Sequence, residues 1–386
     1  MFHKNARPDE YFPEDPDRLP DRPRKGRGAV SNPDGRFEST RRHAVADGWE
    51  GWLEDGAEDI PEDSGGFQPP PIRTRLEVDT SRKVIAWNSS PDIPFDRSVN
   101  PYRGCEHGCV YCFARPTHAY LGLSPGLDFE SRLFYKPDAP ECLRRELSVK
   151  SYRPAPIALG INTDAWQPVE RSLGLTRRIV QVLADFRHPF TVVTKSALIT
   201  RDLDLLAPMA ARRAFAAAFS ITTLDRDLAR RLEPRAPTPA LRLRAVRRLA
   251  DAGIPVSVMA APLIPGLTDH ELENILAAAA EAGAVSAGYV LLRLPREIGG
   301  LFTEWLEAHA PDRKGRVLSL MRQCRDGALY NAAWGRRMTG SGPYAELIRQ
   351  RFHKARARLG LDRPRPPLDC GQFRVPLARD GQLALF

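Results

Sequence analysis

The fold of this chain is set around the segment Asn100-Pro-Tyr-Arg-Gly-Cys105-Glu-His-Gly-Cys109-Val-Tyr-Cys112, in which three cysteines follow the spacing CxxxCxxC. Gly104 and Gly108 allow this segment to fold back, so that three thiolates converge on one cofactor. Cysteine sulfurs are the usual ligands of iron–sulfur clusters, and a four-iron cluster needs four ligands. Three cysteines therefore predict a cluster with one iron open to a substrate.

Two other interpretations of the three cysteines remain open. They could hold zinc together with His107 or His118, in a tetrahedral site of three sulfurs and one nitrogen. They could also hold an iron–sulfur cluster that has only a structural role. Six cysteines in 386 residues are too few for a disulfide scaffold, so thiolate chemistry in a reducing compartment is expected. The cysteines outside the motif are expected to be ordinary buried or partly buried thiols: Cys142, Cys324 and Cys370.

The region after the cysteines alternates short β-rich runs with amphipathic helical stretches, which predicts βα units and a parallel sheet. The predicted strands are one near Arg97–Asn100, then Ile157–Asp164, Phe190–Lys195, Ala214–Thr222, Pro255–Ile264 and Ala287–Leu294. The predicted helices include Leu173–Phe186, Arg201–Ala211, Thr238–Ala252 and Asp269–Ala282. Gly253 and Gly283 follow two of these helices, where a left-handed cap needs glycine.

Six strands are too few to close an eight-stranded barrel. We therefore predict an α/β fold, a partial (β/α)6 barrel of the TIM type whose active site lies at the carboxyl ends of the strands. An open doubly wound sheet is the alternative. No GxGxxG motif follows an early strand, which counts against that alternative.

The net charge of +9 is divided unevenly along the chain. Residues 1–70 carry 10 Lys/Arg and 16 Asp/Glu with many prolines, which predicts a disordered acidic leader. Residues 71–310 carry 31 basic and 26 acidic side chains and are predicted to form the barrel. Residues 311–386 carry 16 basic and 6 acidic side chains, which predicts a basic, mainly helical extension. No run of apolar residues approaches the length of a membrane span, and the first residues lack the apolar core of a signal peptide. We therefore expect a soluble, cytoplasmic protein with no membrane partner.

From roughly Ile85 to Pro295, the chain resembles the radical SAM superfamily and is closest to its spore photoproduct lyase-like group, often described as DNA repair photolyase-like proteins. The resemblance implies a [4Fe–4S] cluster on Cys105, Cys109 and Cys112. It implies that S-adenosylmethionine (SAM) binds the open iron through its amino and carboxylate groups. It also implies an electron donor such as flavodoxin or ferredoxin, and reductive cleavage of SAM to a 5′-deoxyadenosyl radical.

The resemblance further implies a set of residues that contact SAM: Tyr111, Asn162, Thr163, Asp164, Ser220, Thr222, Arg235, Pro265 and Gly266. Asn162, Thr163 and Asp164 stand where the family's Gly-Gly-Glu receives the methionine amine. Arg235 is a natural bidentate partner for the methionine carboxylate, although Glu233 and Arg235 could equally form a surface turn. Lys195, at the end of the third strand, is a candidate partner for the substrate or for Asp164.

One departure from spore photoproduct lyases concerns the substrate. Their hydrogen-donor cysteine lies just after the second strand, and this chain has Gly160-Ile-Asn-Thr163 there, without a thiol. True spore photoproduct repair is therefore in doubt. Cys142, in a predicted helix, could replace that thiol only if the fold brings it to the barrel mouth.

The C-terminal region holds two candidate partner-binding elements. The helical pattern of residues 343–359 places Tyr344, Leu347, Ile348, Ala355 and Leu359 on one stripe. The basic residues beside it could meet nucleic-acid phosphates or simply cover a helix that packs on the barrel: Arg349, Arg351, Lys354, Arg356 and Arg358. The final residues, Gln382–Phe386, resemble the peptide by which ligands bind the bacterial sliding clamp; a tail folded onto the body is the alternative.

These observations favour a radical SAM enzyme that acts on nucleic acid, with lyase-like repair or modification of a DNA lesion as the first hypothesis. Two alternatives remain. The first is radical SAM modification of a protein or small molecule, with a purely structural basic tail. The second is an iron–sulfur or zinc module without turnover.

Overall fold

The structure is a computed structural model that describes residues 21–38, 72–363 and 366–376. The strands within these ranges are β1 (Arg75–Val78), β2 (Ile85–Trp87), β3 (Arg97–Val99), β4 (Tyr102–Arg103), β5 (Arg132–Tyr135), β6 (Ile157–Leu159), β7 (Phe190–Thr194), β8 (Phe215–Ser220), β9 (Val256–Leu263) and β10 (Ser286–Leu291). The helices are α1 (Leu127–Ser131), α2 (Ala139–Leu147), α3 (Glu170–Leu173), α4 (Leu175–Asp185), α5 (Leu203–Ala211), α6 (Arg226–Leu232), α7 (Pro239–Asp251), α8 (Leu272–Glu281), α9 (Ile298–His309), α10 (Pro311–Gln323) and α11 (Gly342–Arg358). Within these ranges, no helix is both long enough and apolar enough to cross a membrane.

The main sheet of the described residues has seven strands in the order β10-β9-β8-β7-β6-β3-β2. β3 and β6 to β10 are parallel neighbours in chain order, and β2 pairs antiparallel with β3 at one edge. A doubly wound sheet would instead reverse its strand order at a switch point. The order confirms the predicted partial barrel of six parallel strands, whose carboxyl ends meet at one rim.

Alternating side chains explain the strands, and local caps explain the helix ends. In β8, Phe215 and Phe219 are buried and separated by alanines, and the Phe215 ring lies 4.7 Å from that of Phe190 in β7. Thr238 caps α7 by accepting a hydrogen bond from the backbone N–H of Leu241 at 3.4 Å. The glycine caps predicted after α7 and α8 are confirmed, because Gly253 and Gly283 have φ values of 74° and 94°.

A second sheet, in the order β1-β5-β4, supports the cysteine motif and was not predicted from the sequence. β4 has only two residues and ends just before Cys105, while β5 follows the motif and pairs antiparallel with β4. So short a strand gives no periodic signal. The insertion of β5, α1 and α2 between β3 and β6 therefore places the cysteines on a small sheet beside the barrel.

Residues 21–38, which we call the strap, depart from the disorder predicted for residues 1–70. Gly28 and Ala29 donate backbone hydrogen bonds of 2.9 Å to the Glu130 carboxylate. A side chain on Gly28 would place its Cβ 1.8 Å from the carbonyl oxygen of Gly108, so only glycine allows this approach to the cysteine motif. The remainder of the leader lies outside the described residues.

The C-terminal extension packs on the barrel, but not with the predicted stripe. In α11 the buried residues are Ala345, Ile348, Phe352 and Ala355, whereas Leu347 is 49% exposed. The predicted stripe was wrong at Leu347 and omitted Phe352, because Phe352 packs on Tyr289 of β10, with ring centroids 4.7 Å apart. Packing against a particular neighbour is a tertiary constraint that a helical repeat does not contain.

The basic residues of α11 are also partly neutralised. Arg351 forms an ion pair of 2.6 Å with Glu273 of α8, and Arg349 pairs at 2.6 Å with Glu346. Arg356 donates to the carbonyl of Leu361 at 3.1 Å. Lys354 and Arg358 stay exposed, so the phosphate-binding face predicted for this helix is smaller than its charge suggests.

Residues 366–376 cover the amino ends of the barrel strands. The ring of Phe373 packs against Tyr152, Phe186 and His188, with centroid distances of 5.6, 6.2 and 5.5 Å. Arg374 donates its backbone N–H to Phe186 at 3.0 Å, and Phe186 precedes β7. This segment therefore lies at the end of the barrel opposite the rim.

Glu130 offers a test of what holds the strap. Its carboxylate accepts from Gly28, Ala29 and the buried guanidinium of Arg115, which lies 3.0 Å away. We expect Glu130→Gln to lower the free energy of unfolding by about 3–5 kcal/mol, because it leaves Arg115 buried without a countercharge. Urea unfolding measures this effect, and mass spectrometry after limited trypsin digestion should show new cleavage at Arg27.

The matched control is Glu77→Gln, which breaks the partly exposed pair of Glu77 with Arg132 at 3.1 Å. Exposed pairs contribute about 0–1 kcal/mol. Equal unfolding free energies for the two variants would contradict the role assigned to Glu130.

Candidate active site at the barrel rim

The cysteine loop, residues 104–112, lies against the carboxyl ends of the barrel strands. Cys105 and Cys109 are buried and Cys112 is half-buried. Burial raises the pKa of Cys105 well above its ordinary value, and the carboxylate of Asp164 and the other two thiols raise it further. Burial likewise raises the pKa of Cys109 to about 12. The three thiols are thus within electrostatic reach of one another, and a bound metal would displace the protons that they hold.

Three cysteine thiols are the donor set that thiolate-held iron–sulfur clusters use. Within residues 21–38, 72–363 and 366–376, no three His, Cys, Asp or Glu side chains converge on a point where one metal ion could be held. His118, one of the predicted zinc ligands, has its Nε2 2.9 Å from the Arg132 carbonyl oxygen instead.

Gln167 fixes the backbone at the start of the cysteine loop. Its side-chain oxygen accepts from the N–H of Glu106 at 2.8 Å, and its amide donates to the carbonyl of Gly104 at 3.2 Å. The N–H of Cys105 donates to Phe129 at 2.9 Å. Gln167 is fully buried and lies in the segment after β6, so the barrel itself holds the loop in position.

The other end of the loop is anchored by a buried polar network. The hydroxyl of Tyr111 donates to Glu233 and lies 3.0 Å from Oγ1 of Thr222, which donates to Glu233 at 2.7 Å. Arg242 forms a fully buried ion pair with Glu233. Burial alone would raise the pKa of Glu233, but the charges of Arg242 and Lys195 bring it down to about 2. Glu233 is therefore a buried anchor, and a surface turn is wrong for this residue.

Asp164 joins the ends of β6 and β7. Its carboxylate accepts from the hydroxyl of Thr194 and from the N–H of Lys195, each at 2.8 Å, and from the N–H of Trp166 at 2.9 Å. The predicted partnership between Lys195 and Asp164 thus runs through the lysine backbone. With three donors already bound, the Asp164 carboxylate is a positioning group at the rim.

The side chains of His107 and Lys195 lie beside the cysteines, and their nitrogen atoms are able to form further hydrogen bonds. Nδ1 of His107 lies 3.5 Å from Asp164, and its Nε2 is buried with no hydrogen-bond partner among the described residues. Burial lowers the pKa of His107, although Asp164 opposes this shift. Nζ of Lys195 lies 5.8 Å from the ring centre of Tyr111. Buried polar atoms normally have partners, so the unpaired Nε2 of His107 is a candidate ligand contact.

Three other residues that were predicted to contact SAM differ in burial and in hydrogen bonding. Thr163 is buried, and its hydroxyl donates to the carbonyl of Tyr102 at 3.0 Å. This hydroxyl therefore stabilises the backbone just before the cysteine loop. Asn162 is exposed, with its N–H bonded to the side chain of Asn100 at 2.9 Å. Ser220 is buried at the end of β8, next to the Tyr111 network.

Arg235 and the turn at Pro265 and Gly266 lie in other surroundings. Arg235 pairs with Glu106 at 3.1 Å, beside Cys105. Gly266 has φ +77°, and a Cβ there would lie 3.1 Å from Leu320 of α10. Pro265 is buried in the same turn. The close approach that this turn permits is therefore to the C-terminal extension, and contact of these residues with SAM stays a prediction.

Cys142 does not reach the rim. It lies in α2, which packs on α4 outside the barrel, and its Sγ lies 3.0 Å from a guanidinium nitrogen of Arg145. The suggested role of Cys142 as a hydrogen donor at the barrel mouth is therefore wrong.

Sequence reasoning missed Gln167 and Arg242, which hold the two ends of the cysteine loop. Gln167 gave no signal, since it lies in an irregular segment after β6 with no periodic pattern. Arg242 gave one, because it lies at helical spacing with the buried Ala245, Val246 and Leu249. A charged residue on an apolar stripe predicts a buried partner, which here is Glu233.

Comparison with known proteins agrees with this site. A sequence model of the Radical SAM superfamily matches residues 99–279, which include the cysteine loop and the strands from β4 to β9. An uncharacterized protein of Mycobacterium tuberculosis is 37% identical over 295 residues, covering 73% of this chain and 82% of that protein.

Solved structures of spore photoproduct lyase share the fold. One, complexed with dinucleoside spore photoproduct, has a TM-score of 0.52 and 15% identity, covering 74% of this chain and 79% of that one. Another, a variant with bound AdoMet and dinucleoside spore photoproduct, has a TM-score of 0.50 and 16% identity, covering 74% and 78%. With its three-cysteine loop at the rim of a six-stranded partial barrel, the chain belongs to the radical SAM superfamily of enzymes.

Proposed function

We propose that this enzyme binds a [4Fe–4S] cluster through Cys105, Cys109 and Cys112 and acts on nucleic acid in the cytoplasm, as a lyase-like enzyme that repairs or modifies a DNA lesion. The observation that carries the cluster assignment is the group of three thiols on a loop anchored at both ends by Gln167 and Tyr111. When bound and reduced by a donor such as flavodoxin or ferredoxin, the cluster supplies the electron that cleaves SAM to a 5′-deoxyadenosyl radical. The barrel limits access of water and stray hydrogen donors.

The amino-acid end of SAM is proposed to bind between His107 and Lys195. Nε2 of His107 is buried and unpaired, and within the described residues the ammonium of Lys195 has no carboxylate at ion-pair distance. A zwitterion offers both an ammonium and a carboxylate to such a pair. This arrangement would supply the amine contact that the replaced Gly-Gly-Glu leaves undefined, with Asp164 orienting His107.

Nucleic acid is the proposed substrate class for two reasons. The net charge is +9, with most of the excess in residues 311–386, and phosphates are the commonest partners of such surfaces. The fold is shared with a lyase solved with a dinucleoside photoproduct. The missing thiol after β6 supports a lesion or modification other than the spore photoproduct.

Modification of a protein or a small molecule is the second candidate. It is favoured by one observation, the neutralisation of Arg349 and Arg351 by Glu346 and Glu273. These pairs remove two of the five basic side chains expected to contact phosphates.

Anaerobic turnover with SAM deuterated at the 5′ carbon tests the substrate class. We expect deuterium in the nucleic acid when DNA carrying mixed lesions is supplied, because a hydrogen returned from 5′-deoxyadenosine to the substrate radical carries the label. Mass spectrometry of nucleosides and of 5′-deoxyadenosine follows the label in parallel DNA, RNA and peptide pools. Transfer confined to peptides or small molecules would contradict the nucleic-acid proposal.

His107 tests the proposed SAM contact. We expect His107→Asn to weaken SAM binding to the cluster-loaded protein about tenfold, because a buried hydrogen bond is lost. Equilibrium dialysis with labelled SAM measures the affinity, and an unchanged iron content shows that the loop still loads. His309→Asn, a half-buried histidine on α9, is the control. Equal affinities for both variants would refute this contact.

The sliding-clamp proposal concerns Gln382–Phe386, which lie outside the described residues. Residues 366–376 run along the end of the barrel opposite the cysteine loop, so a tail bound from there leaves the rim accessible. We expect a peptide of residues 381–386 to bind a bacterial sliding clamp in the micromolar range, about −8 kcal/mol. Competition against a known clamp ligand measures this, with Leu385 and Phe386 changed to alanine as the control. No displacement at high peptide concentration would end the proposal.

A further inference from the structure

Exposed aromatic residues gather beside the cysteine loop. Among the described residues, five aromatic side chains are strongly exposed, and three of them are Phe37, Phe113 and Tyr120, at 59%, 42% and 64%. Phe113 directly follows Cys112, Tyr120 lies in the short helix after it, and Phe37 lies in the strap. Exposed rings are costly to leave in water, so their concentration at one place needs an explanation.

Two of these rings form a fixed pair. The ring centroids of Phe37 and Tyr120 are 5.2 Å apart, with an interplanar angle of 30°. The guanidinium of Arg36 lies 5.3 and 5.7 Å from the two rings and is held by an ion pair of 2.6 Å with Glu297. Glu297 precedes α9, just past the carboxyl end of β10. The pair is therefore oriented at the rim of the barrel and open to solvent.

The third ring, Phe113, is accompanied by a cation that lacks an acidic partner. Arg293 lies two residues beyond β10, with its guanidinium carbon 5.1 Å from the ring centre. Its Nε is buried and has no hydrogen-bond partner, and its NH1 is 3.4 Å from the Met338 sulfur. Within the described part of the chain, Arg293 forms no ion pair with Asp or Glu.

The other two exposed aromatic residues show why Arg293 is distinctive. Trp87 is stacked by Arg97 at 4.4 Å, and Trp334 by Arg337 at 4.2 Å. Both arginines are neutralised, Arg97 by Asp96 at 2.7 Å and Arg337 by Asp92 at 2.5 Å. Arg36 is likewise paired with Glu297. Of the arginines that stack on exposed rings among the described residues, Arg293 is thus the one available to an external anion.

We propose that Phe37, Phe113, Tyr120 and Arg293, which we call the rim patch, bind nucleotides of a single-stranded or locally opened nucleic acid next to the active site. Bases stack on aromatic faces whatever their sequence, and an unneutralised guanidinium takes a phosphate. The combination of rings with an anion site fits a nucleotide better than an apolar peptide, which would leave Arg293 buried without a partner. The proposal rests on the nucleic-acid function above and specifies where the strand runs.

Fluorescence anisotropy with a labelled twelve-nucleotide single-stranded DNA and the full-length protein tests the rim patch. We expect Tyr120→Ala and Arg293→Ala each to raise the Kd about tenfold. Arg293→Ala should also reduce the slope of log K against log salt by about 0.7, because one phosphate contact is lost, whereas Tyr120→Ala should leave the slope unchanged. Tyr120→Phe keeps the ring and should bind like the unmodified protein.

Trp87→Ala is the matched control. Trp87 is 63% exposed and stacked by an arginine, but it lies in β2 beside the amino end of β3, away from the rim. It should change the Kd less than about twofold. If the unmodified protein binds the DNA but Tyr120→Ala and Arg293→Ala behave like Trp87→Ala, the rim patch is overturned and the nucleic-acid function stands. If the unmodified protein binds neither DNA nor RNA strands at low salt, the nucleic-acid function fails and the rim patch fails with it.

Discussion

The site depends on the buried ion pair between Glu233 and Arg242. Both side chains are 1% exposed. Burying two charges is favourable only when they are paired and their remaining donors and acceptors also have hydrogen-bond partners. Arg242 donates to the carbonyls of Ser220 and Pro237, and Glu233 accepts from Tyr111 and Thr222. The pair thereby ties the cysteine loop to the end of β8. Losing either charge would leave the other unpaired in the core, and losing the Glu233 carboxylate would also remove the acceptor of the Tyr111 hydroxyl.

The second anchor of the loop comes from the segment after β6, which is separated from β8 only by β7. Gln167 satisfies backbone groups of Gly104 and Glu106, so the segment between the two anchors has little freedom to move. In the proposed cluster, three thiolates would bind three iron atoms at defined positions, and a loop that is ordered beforehand loses less conformational entropy when the cluster binds. Outside the loop, the strap and the buried Arg115 cover its far face. The same construction leaves the inner face open toward His107, Lys195 and the rim.

Much of the architecture follows from local pattern, because each βα unit repeats an alternation that neighbouring residues determine. The six barrel strands, their order and the glycine caps were predictable in this way, but the strand predicted for Ile157–Asp164 ends at Leu159, five residues before Asp164. The anchors were not, since Arg242 and Glu233 meet across nine residues and Gln167 reaches back over sixty. The strap was missed because it is held by a carboxylate about one hundred residues away. The composition of residues 1–70 alone cannot reveal such a distant partner. Long-range polar contacts at the site, rather than secondary structure, were what the sequence left undetermined.

Anaerobic reconstitution tests most directly whether the loop is a radical SAM centre. The proposed function predicts about four iron and four sulfide per chain, together with dithionite-dependent formation of 5′-deoxyadenosine from SAM. Both should be lost in Cys109→Ala and retained in Cys142→Ala, since Cys142 lies outside the barrel. About one zinc per chain with no cleavage of SAM, or equal loss in the two variants, would contradict it.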